Sequence, residues 1–218
     1  MFDARYFAYA TISALLVMSP GATMAVVLET AIGEGRVAAL LTVLGINIGN
    51  STLALASALG MSVVFHQWPW TMQVVKVGGA VYLSYLGLRG LWFAVRGRAV
   101  PPGRSLAPAR EAAVAGRHET SRRPYALVLR GVTTNLLNPP VVLFYMTFLP
   151  QFIGPDDPFF SRFLVLAATH VSMSVVWLSF YAFALGILAE RFARPAVRRT
   201  LEGITGAVLV GFGVRLVL

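Results

Sequence analysis

The sequence contains no cysteine, few charged residues and only three histidines. The lack of cysteine excludes disulfide bridges, thiolate metal sites and thiol redox chemistry. His66, His118 and His170 fall in separate segments and lack the spacing of a metal site. Because no nucleophile, base and metal ligands converge in the sequence, we expect neither an enzyme nor a cofactor.

Hydrophobic residues dominate what is present. They make up 57% of the 218 residues, whereas charged residues make up 12%. Several uncharged runs exceed the roughly 20 residues that a helix needs to cross a bilayer, and the short alternating segments of a membrane barrel are absent. We therefore predict an all-α integral membrane protein with a single transmembrane domain over residues 1–218.

Hydropathy predicts six transmembrane helices. Their approximate bounds are residues 6–28, 37–65, 70–95, 125–152, 159–189 and 197–218. The uncharged stretch over residues 37–75 is too long for one span. Its segment 66–70 carries a proline and two tryptophans, which is typical of a turn at the membrane surface.

Positive charge is concentrated in two predicted loops, residues 96–124 and 190–199, which together contain eleven arginines. The positive-inside rule places both loops in the cytoplasm, and six spans then place both termini outside. The net charge of +9 thus reflects topology, and we expect no nucleic-acid partner. The first loop could be a flexible connector or could contact anionic lipid.

Two proline motifs interrupt the apolar runs at matching positions. A tyrosine opens the first and the fourth predicted helix, and thirteen residues later come Ser19-Pro20-Gly21 and Asn138-Pro139-Pro140. Thirteen residues correspond to about 20 Å of helical rise. Because each half, about residues 1–95 and 125–218, has three spans, the halves form inverted repeats, and both motifs lie near the bilayer midplane.

These motifs predict broken helices with a binding site between them. Ser19 and Asn138 are suitable N-caps, and Pro20 and Pro139 are suitable first residues of a new half-helix. Free amides near Gly21 and Pro139 could hold a carboxylate, and carbonyls before the caps could accept bonds from an ammonium group. The alternative is that both motifs are ordinary proline kinks.

Two asparagines on the second predicted helix are further site candidates. Asn47 and Asn50 lie beside Gly45 and Gly49, whose spacing permits a close approach of another helix. The asparagine side chains could contact a zwitterion, or they could bond across the helix interface.

Two ionisable residues are candidates for proton coupling or gating. His170, halfway along the fifth predicted helix, could relay protons or could be satisfied by a backbone carbonyl. Glu29 could gate the pathway or bind a cationic substrate, or it could pair with Arg36. We expect no metal at either position.

The chain resembles the lysine-exporter/RhtB superfamily of bacterial amino-acid exporters over essentially its whole length. The resemblance lies in SPGATM (residues 19–24), GEGRVAALLTVLGINIGNS (33–51), VGGAVYLSYLGLRGLW (77–92) and TNLLNPPVVLFYMTFLPQF (134–152). It implies a six-helix exporter in the inner membrane, driven by the proton gradient. The chain departs from the family pattern at Ala22, where a second proline is usual, at Pro140, where lysine is usual, and at Asn50, where an acidic residue is common.

The function predicted from these observations is proton-coupled export of amino acids or close derivatives by alternating access. The expected partners are a small zwitterionic amino acid and membrane lipid, and the small-residue helix faces also allow a homodimer. The alternatives are an exporter of another small solute or cation, or a lipid-handling membrane protein.

Overall fold

The computed structural model describes residues 3–19, 21–68, 70–96, 123–184 and 195–217, and these are helical apart from short connections. We number the helices α1 (Ala4–Met18), α2 (Ala22–Glu34), α3 (Arg36–Gln67), α4 (Thr71–Arg96), α5 (Pro124–Leu136), α6 (Pro139–Leu143), α7 (Phe159–Phe183) and α8 (Pro195–Val217). The structure therefore has helical residues within each of the six predicted spans. The first extends beyond its predicted end. The predicted end of the fifth lies outside the described residues, as do most of the first arginine-rich loop and half of the second.

Apolar helices of sufficient length make this a multi-pass membrane protein. Among the described residues, α3 and α7 are each long and apolar enough to cross a bilayer. Two bent pairs of helices are also long and apolar enough when each pair is taken as one span. One pair is α1 with α2, and the other is α5 with residues 139–152. Six spans and their inverted repeat stay predictions.

Both composite spans bend at their proline motifs. The axes of α1 and α2 differ by 44°, and the axis of α5 differs by 61° from that of residues 139–152. The second span also changes its winding, because α6 passes into a π-helical turn over Phe144–Phe148 and a 3-10 turn over Leu149–Phe152. Irregular winding of this kind is frequent at functional sites.

Glycines allow α3 and α5 to cross at a short distance. A methyl group on Gly45 would overlap the backbone carbonyl of Val128, and one on Gly131 would overlap the carbonyl of Thr42. The close approach predicted at Gly45 and Gly49 is therefore confirmed, and the partner is α5. The crossing fixes the height of the second bend relative to α3.

Buried apolar side chains form two clusters. The Tyr9 cluster includes Tyr9, Ile12, Phe144, Phe148, Phe163 and Leu166. The Val27 cluster includes Met24, Val27, Val43, Ile46, Leu178 and Tyr181. On α3 and on α7 the two clusters occupy opposite halves of the helix, so they close the bundle at two different levels.

A layer of buried polar side chains separates the two clusters. It contains Ser13, Asn47, Asn50, Asn135, His170 and Ser174. In sequence, Asn47 and Asn50 lie between the two clusters on α3, and His170 and Ser174 lie between them on α7. Since burial of polar groups is unfavourable unless they are paired, this polar layer is the part of the interior where a function is expected.

Charged side chains distinguish the two ends of the bundle. At one end, which we name the arginine end, Arg199 at the start of α8 donates to the Ala94 carbonyl of α4 over 3.0 Å. The two arginine-rich loops therefore leave the bundle from the same end. This relation agrees with their predicted location on one side of the membrane.

The opposite end, which we name the acid end, contains a buried arginine. Arg162 at the start of α7 is 5% exposed and pairs with Asp3 and with Asp157 of the predicted acidic loop. Asp3 also caps α1. A hydrogen bond from the Tyr6 amide and the Arg162 guanidinium hold the pKa of the Asp3 carboxyl below its ordinary value.

Candidate functional site

The first break has a different cap from the one predicted. Ser19 ends α1, and its N–H donates to the Leu16 carbonyl over 3.2 Å. The following half-helix begins at Ala22 with Gly21 as its N-cap, so the prediction of Ser19 as N-cap is wrong. The reason is that Gly21 is itself extended, with φ −147° and ψ −169°, so the chain re-enters the helix only at Ala22. Pro20 itself lies outside the described residues.

The start of α2 presents free backbone donors. The Ala25 N–H donates to the Gly21 carbonyl over 3.0 Å. The amides of Ala22 and Thr23 donate to no described residue, and Gly21 has no side chain to cap them. Since α2 continues for 13 residues, its dipole adds positive potential at these amides. The first break can thus bind an anionic group without a charged side chain.

The second break begins where the sequence predicts, but its donors are occupied. Asn138 is the N-cap and Pro139 the first residue of α6, as predicted. Pro139 and Pro140 have no N–H, and the amides of Val141 and Val142 both donate to the Asn138 carbonyl, over 3.0 and 3.1 Å. The prediction of free amides at this break is therefore wrong, because the second proline removes a donor that another residue would keep.

The two breaks meet through side chains. The Asn138 side-chain amide lies 3.5 Å from the Thr23 hydroxyl, at the outer limit of a hydrogen bond. Asn138 does not use its side chain to cap its own helix. The first break therefore supplies backbone amides and the second supplies one amide side chain at the same place.

The predicted asparagines of α3 connect to the second break through a third asparagine. Asn135 donates to the Asn50 side-chain oxygen over 3.1 Å, and the Asn135 carbonyl accepts the Asn138 N–H over 3.1 Å. Asn47 donates to the Val43 carbonyl of its own helix over 2.9 Å. The Asn50 side chain therefore bonds across the helix interface, which was one of the two predicted roles.

Asn135 is 1% exposed, and its side-chain oxygen has no hydrogen-bond partner among the described residues. That oxygen faces α3, where a methyl group on Gly49 would lie 3.1 Å from it. Asn135 is therefore packed inside the crossing of α3 and α5. It can position Asn50 and Asn138 without itself reaching a solute.

His170 joins α7 to α1. Its Nδ1 lies 2.7 Å from the Ser13 hydroxyl, and its ring lies 4.2 Å from the ring of Phe144 between centroids. The alternative that a backbone carbonyl satisfies this nitrogen is wrong, since its partner is a side chain. The buried Tyr145 hydroxyl has no hydrogen-bond partner among the described residues, and its ring meets that of His170 edge-on.

Glu29 pairs with an arginine that the sequence reasoning missed. Its Oε2 accepts from Arg130 of α5 over 2.9 Å, and Arg130 also donates to the Thr30 hydroxyl over 2.9 Å. The predicted pairing of Glu29 with Arg36 is therefore wrong. A residue 101 positions distant along the chain occupies the site because α2 and α5 pack side by side.

Comparison with known proteins identifies the family of this chain. The family model described as LysE type translocator matches residues 14–218. The chain belongs to the LysE-type translocator family. The resemblance seen in the sequence motifs is thereby confirmed, and the family consists of transporters rather than enzymes.

Individual relatives of this LysE-type translocator are similar along nearly their whole length. The threonine efflux protein of Escherichia coli K12 is 28% identical, with 98% of this chain and 97% of that protein covered. The leucine efflux protein of Enterobacter sp. strain 638 is 28% identical, with 97% and 94% covered. An uncharacterized membrane protein of Pseudomonas aeruginosa is 34% identical, with 92% and 89% covered. No solved structure matches the chain.

Four residues of the candidate site in this translocator were absent from the predictions: Ser13, Thr23, Arg130 and Asn135. Two of them had a signal in the sequence. Arg130 is the one charged residue in the sequence of the fourth predicted span, and Asn135 lies one helical turn before Asn138. Ser13 and Thr23 had none, since small hydroxyl residues are common in membrane helices.

Proposed function

We propose that the chain exports amino acids or close derivatives across the bacterial inner membrane. The observation that carries this proposal is the contact between Thr23 and Asn138, which joins the free amides of one helix break to the side chain of the other. Membership of the LysE-type translocators and the names of the threonine and leucine efflux relatives support the choice of substrate class.

In the proposed binding mode, the substrate carboxylate accepts bonds from the amides of Ala22 and Thr23 and from the Asn138 side chain. The ammonium group faces the carbonyls at the end of α1, near Ser19, where the last turn leaves carbonyls without helical partners. Both charges of a zwitterion are thus met by neutral polar groups. Such groups bind a solute without the penalty of a permanently buried charge.

The remaining candidates have supporting roles. Pro20 and Pro139 interrupt the helices, and Gly21 keeps the α2 amides accessible. Asn50 orients the second break through Asn135, and Asn47 lies next to Asn50 with a separation of 3.5 Å between their side-chain atoms. These roles can be separated by substitution, because only the residues at the breaks would contact substrate.

We infer alternating access, and the two apolar clusters support it. A solute bound at the breaks lies between the Tyr9 cluster and the Val27 cluster, so either side can open when one cluster separates. The proposed inverted repeats, about residues 1–95 and 125–218, give the two openings related geometries. Each state is favoured by the contacts that it alone makes.

Proton coupling would act through His170 or Glu29. His170 lies in the polar layer, where a proton would add a positive charge beside Ser13 and weaken the packing of α1 on α7. Glu29 lies between the breaks and the arginine end, where protonation would break its ion pair. Either change favours one state of the transporter over the other.

The test of this proposal is export from proteoliposomes loaded with threonine, leucine and a panel of other amino acids, with and without a pH gradient. We expect at least one amino acid to leave faster than from protein-free vesicles, and an imposed gradient to accelerate its exit. If no amino acid leaves, the proposed function is wrong. If export occurs but ignores the gradient, only proton coupling is wrong.

The orientation can be measured directly, since the sequence has no cysteine. Asp156→Cys marks the acid end, and Arg123→Cys marks the arginine end; both positions are exposed. We expect an impermeant thiol reagent added to whole cells with a permeabilised outer membrane to label the first variant alone. Labelling of the second alone would reverse the proposed topology.

A further inference from the structure

The ion pair between Glu29 and Arg130 is more than a contact between two helices. Its atoms lie 2.9 Å apart, and the side chains are only 26% and 16% exposed. Arg130 is also held by the Thr30 hydroxyl, which itself donates to the Val26 carbonyl over 2.9 Å. The guanidinium therefore keeps a partner on α2 when Glu29 moves away.

The pair lies on the way from the breaks to the arginine end. α2 and α5 run in opposite directions, with Thr23 next to Asn138 and Glu29 next to Arg130. Six residues of α2 separate the two contacts, which corresponds to about 9 Å. A solute that moves between these half-helices toward or away from the breaks must pass this pair.

Separation of the pair requires replacement charges. A partly buried ion that loses its partner destabilises the protein strongly, because desolvation is no longer compensated. A zwitterion can replace both partners at once, whereas an amine or a carboxylic acid can replace only one. The pair therefore has the chemistry of a selective contact for amino acids.

We propose that Glu29 and Arg130 form a second binding subsite for a zwitterionic substrate. The substrate ammonium replaces the guanidinium on Glu29, and the substrate carboxylate replaces the Glu29 carboxylate on Arg130. This subsite rests on the proposed export function and adds a loading position on the arginine-end side of the breaks. The ion pair re-forms once the substrate has moved on to the amides of α2.

The experiment compares Glu29→Gln, Arg130→Gln and Arg130→Lys with the wild-type protein in threonine-loaded proteoliposomes. Initial export rates are measured over a range of internal threonine concentrations and divided by the amount of inserted protein. Arg36→Gln is the matched control, because it removes one exposed positive charge at the start of α3, next to the end of α2.

We expect each glutamine variant to raise the KM for internal threonine about tenfold or more, as loss of a charged hydrogen bond predicts. Without a pH gradient, so that proton coupling at Glu29 does not drive export, we expect the maximal rate to stay within about twofold, because the site at the breaks is unchanged. Arg130→Lys keeps the charge but loses the paired donors of the guanidinium. Its KM should therefore lie between that of the wild-type protein and that of Arg130→Gln. Arg36→Gln should keep the wild-type KM.

A pair that only locks the helices together gives a different result. Its neutralisation would raise the maximal rate and leave the KM unchanged, and that outcome overturns the subsite. If single variants fail to insert, the double variant Glu29→Gln, Arg130→Gln leaves no unpaired charge and must show the same rise in KM. Wild-type protein that exports no amino acid overturns the export function together with the subsite, whereas normal export with unchanged KM values overturns the subsite alone.

Discussion

At the first break a glycine separates the proline from the next helix, and the amides of Ala22 and Thr23 have no partner among the described residues. At the second break Pro139 is followed by Pro140, and the next two amides both bond to the Asn138 carbonyl. Similar sequence motifs thus produce two different breaks. The first offers backbone N–H donors, whereas the second offers only the side chain of Asn138. A broken helix is therefore not a binding site by itself, because the residues after the proline decide which donors stay free.

The largest effect is expected at Asn138, which carries the only polar side chain of the second break. Asn138→Ala should lower the export rate about 30-fold or more, if the lost bond is to the substrate carboxylate. The measurement is the initial rate of threonine export per inserted protein. Leu137→Ala is the control, since Leu137 is 80% exposed and apolar. Wild-type export by Asn138→Ala would remove the second break from the site.

A change at Ala22 tests the donors of the first break. Proline is compatible with the first position of a helix, and Gly21 before it is already extended. Ala22→Pro therefore removes one free amide with little distortion, and we expect the KM to rise about tenfold. The mirror change, Pro140→Ala, adds an amide to the second break and should lower the KM. The comparison fails if Ala22→Pro keeps the wild-type KM or if Pro140→Ala raises it.

A smaller effect is expected where the two breaks touch. Thr23→Val keeps the shape of the side chain but removes the hydroxyl that lies 3.5 Å from the Asn138 amide. The contact is long, so we expect the KM to rise only about two- to fivefold. Thr11→Val, which removes a hydroxyl from the middle of α1 that donates to the Phe7 carbonyl, should leave the KM unchanged. Equal KM values for Thr23→Val and Thr11→Val would mean that the two breaks act independently.

The smallest effect concerns the anchoring of the first broken span at the acid end. The pKa of Asp3 is lowered in the folded protein, so its carboxylate stabilises the fold at pH values above the ordinary pKa. That contribution is lost as the pH falls through the lowered pKa that Asp3 has in the folded protein. Thermal unfolding in detergent should show wild-type protein losing stability in this acidic range, and Asp3→Asn should lose less. Asp156→Asn, at an exposed position, should follow the wild-type curve.

Much of the architecture could be predicted because it depends on properties that act along the chain. Long apolar runs predict helices, since lipid provides no partners for backbone polar groups. Asn138 and Pro139 were placed correctly as cap and first residue because proline geometry is local. The glycines at residues 45 and 49 predicted a close helix approach for the same local reason.

Contacts between distant segments could not be predicted in the same way. Glu29 selects Arg130 instead of the nearer Arg36, and His170 selects Ser13. Many polar side chains along a membrane helix could satisfy each of these groups. Only the packing of the helices decides which one is within hydrogen-bonding distance.

The sequence by itself determined the helical membrane architecture, the family and the positions of the two interruptions, because hydropathy and proline stereochemistry are local properties. The tertiary structure alone decided that the interruptions meet and that Arg130 faces Glu29. These features depend on the distances and angles between helices. Such distances follow from the packing of side chains across the bundle, in particular from the close crossing of α3 and α5 at Gly45 and Gly131.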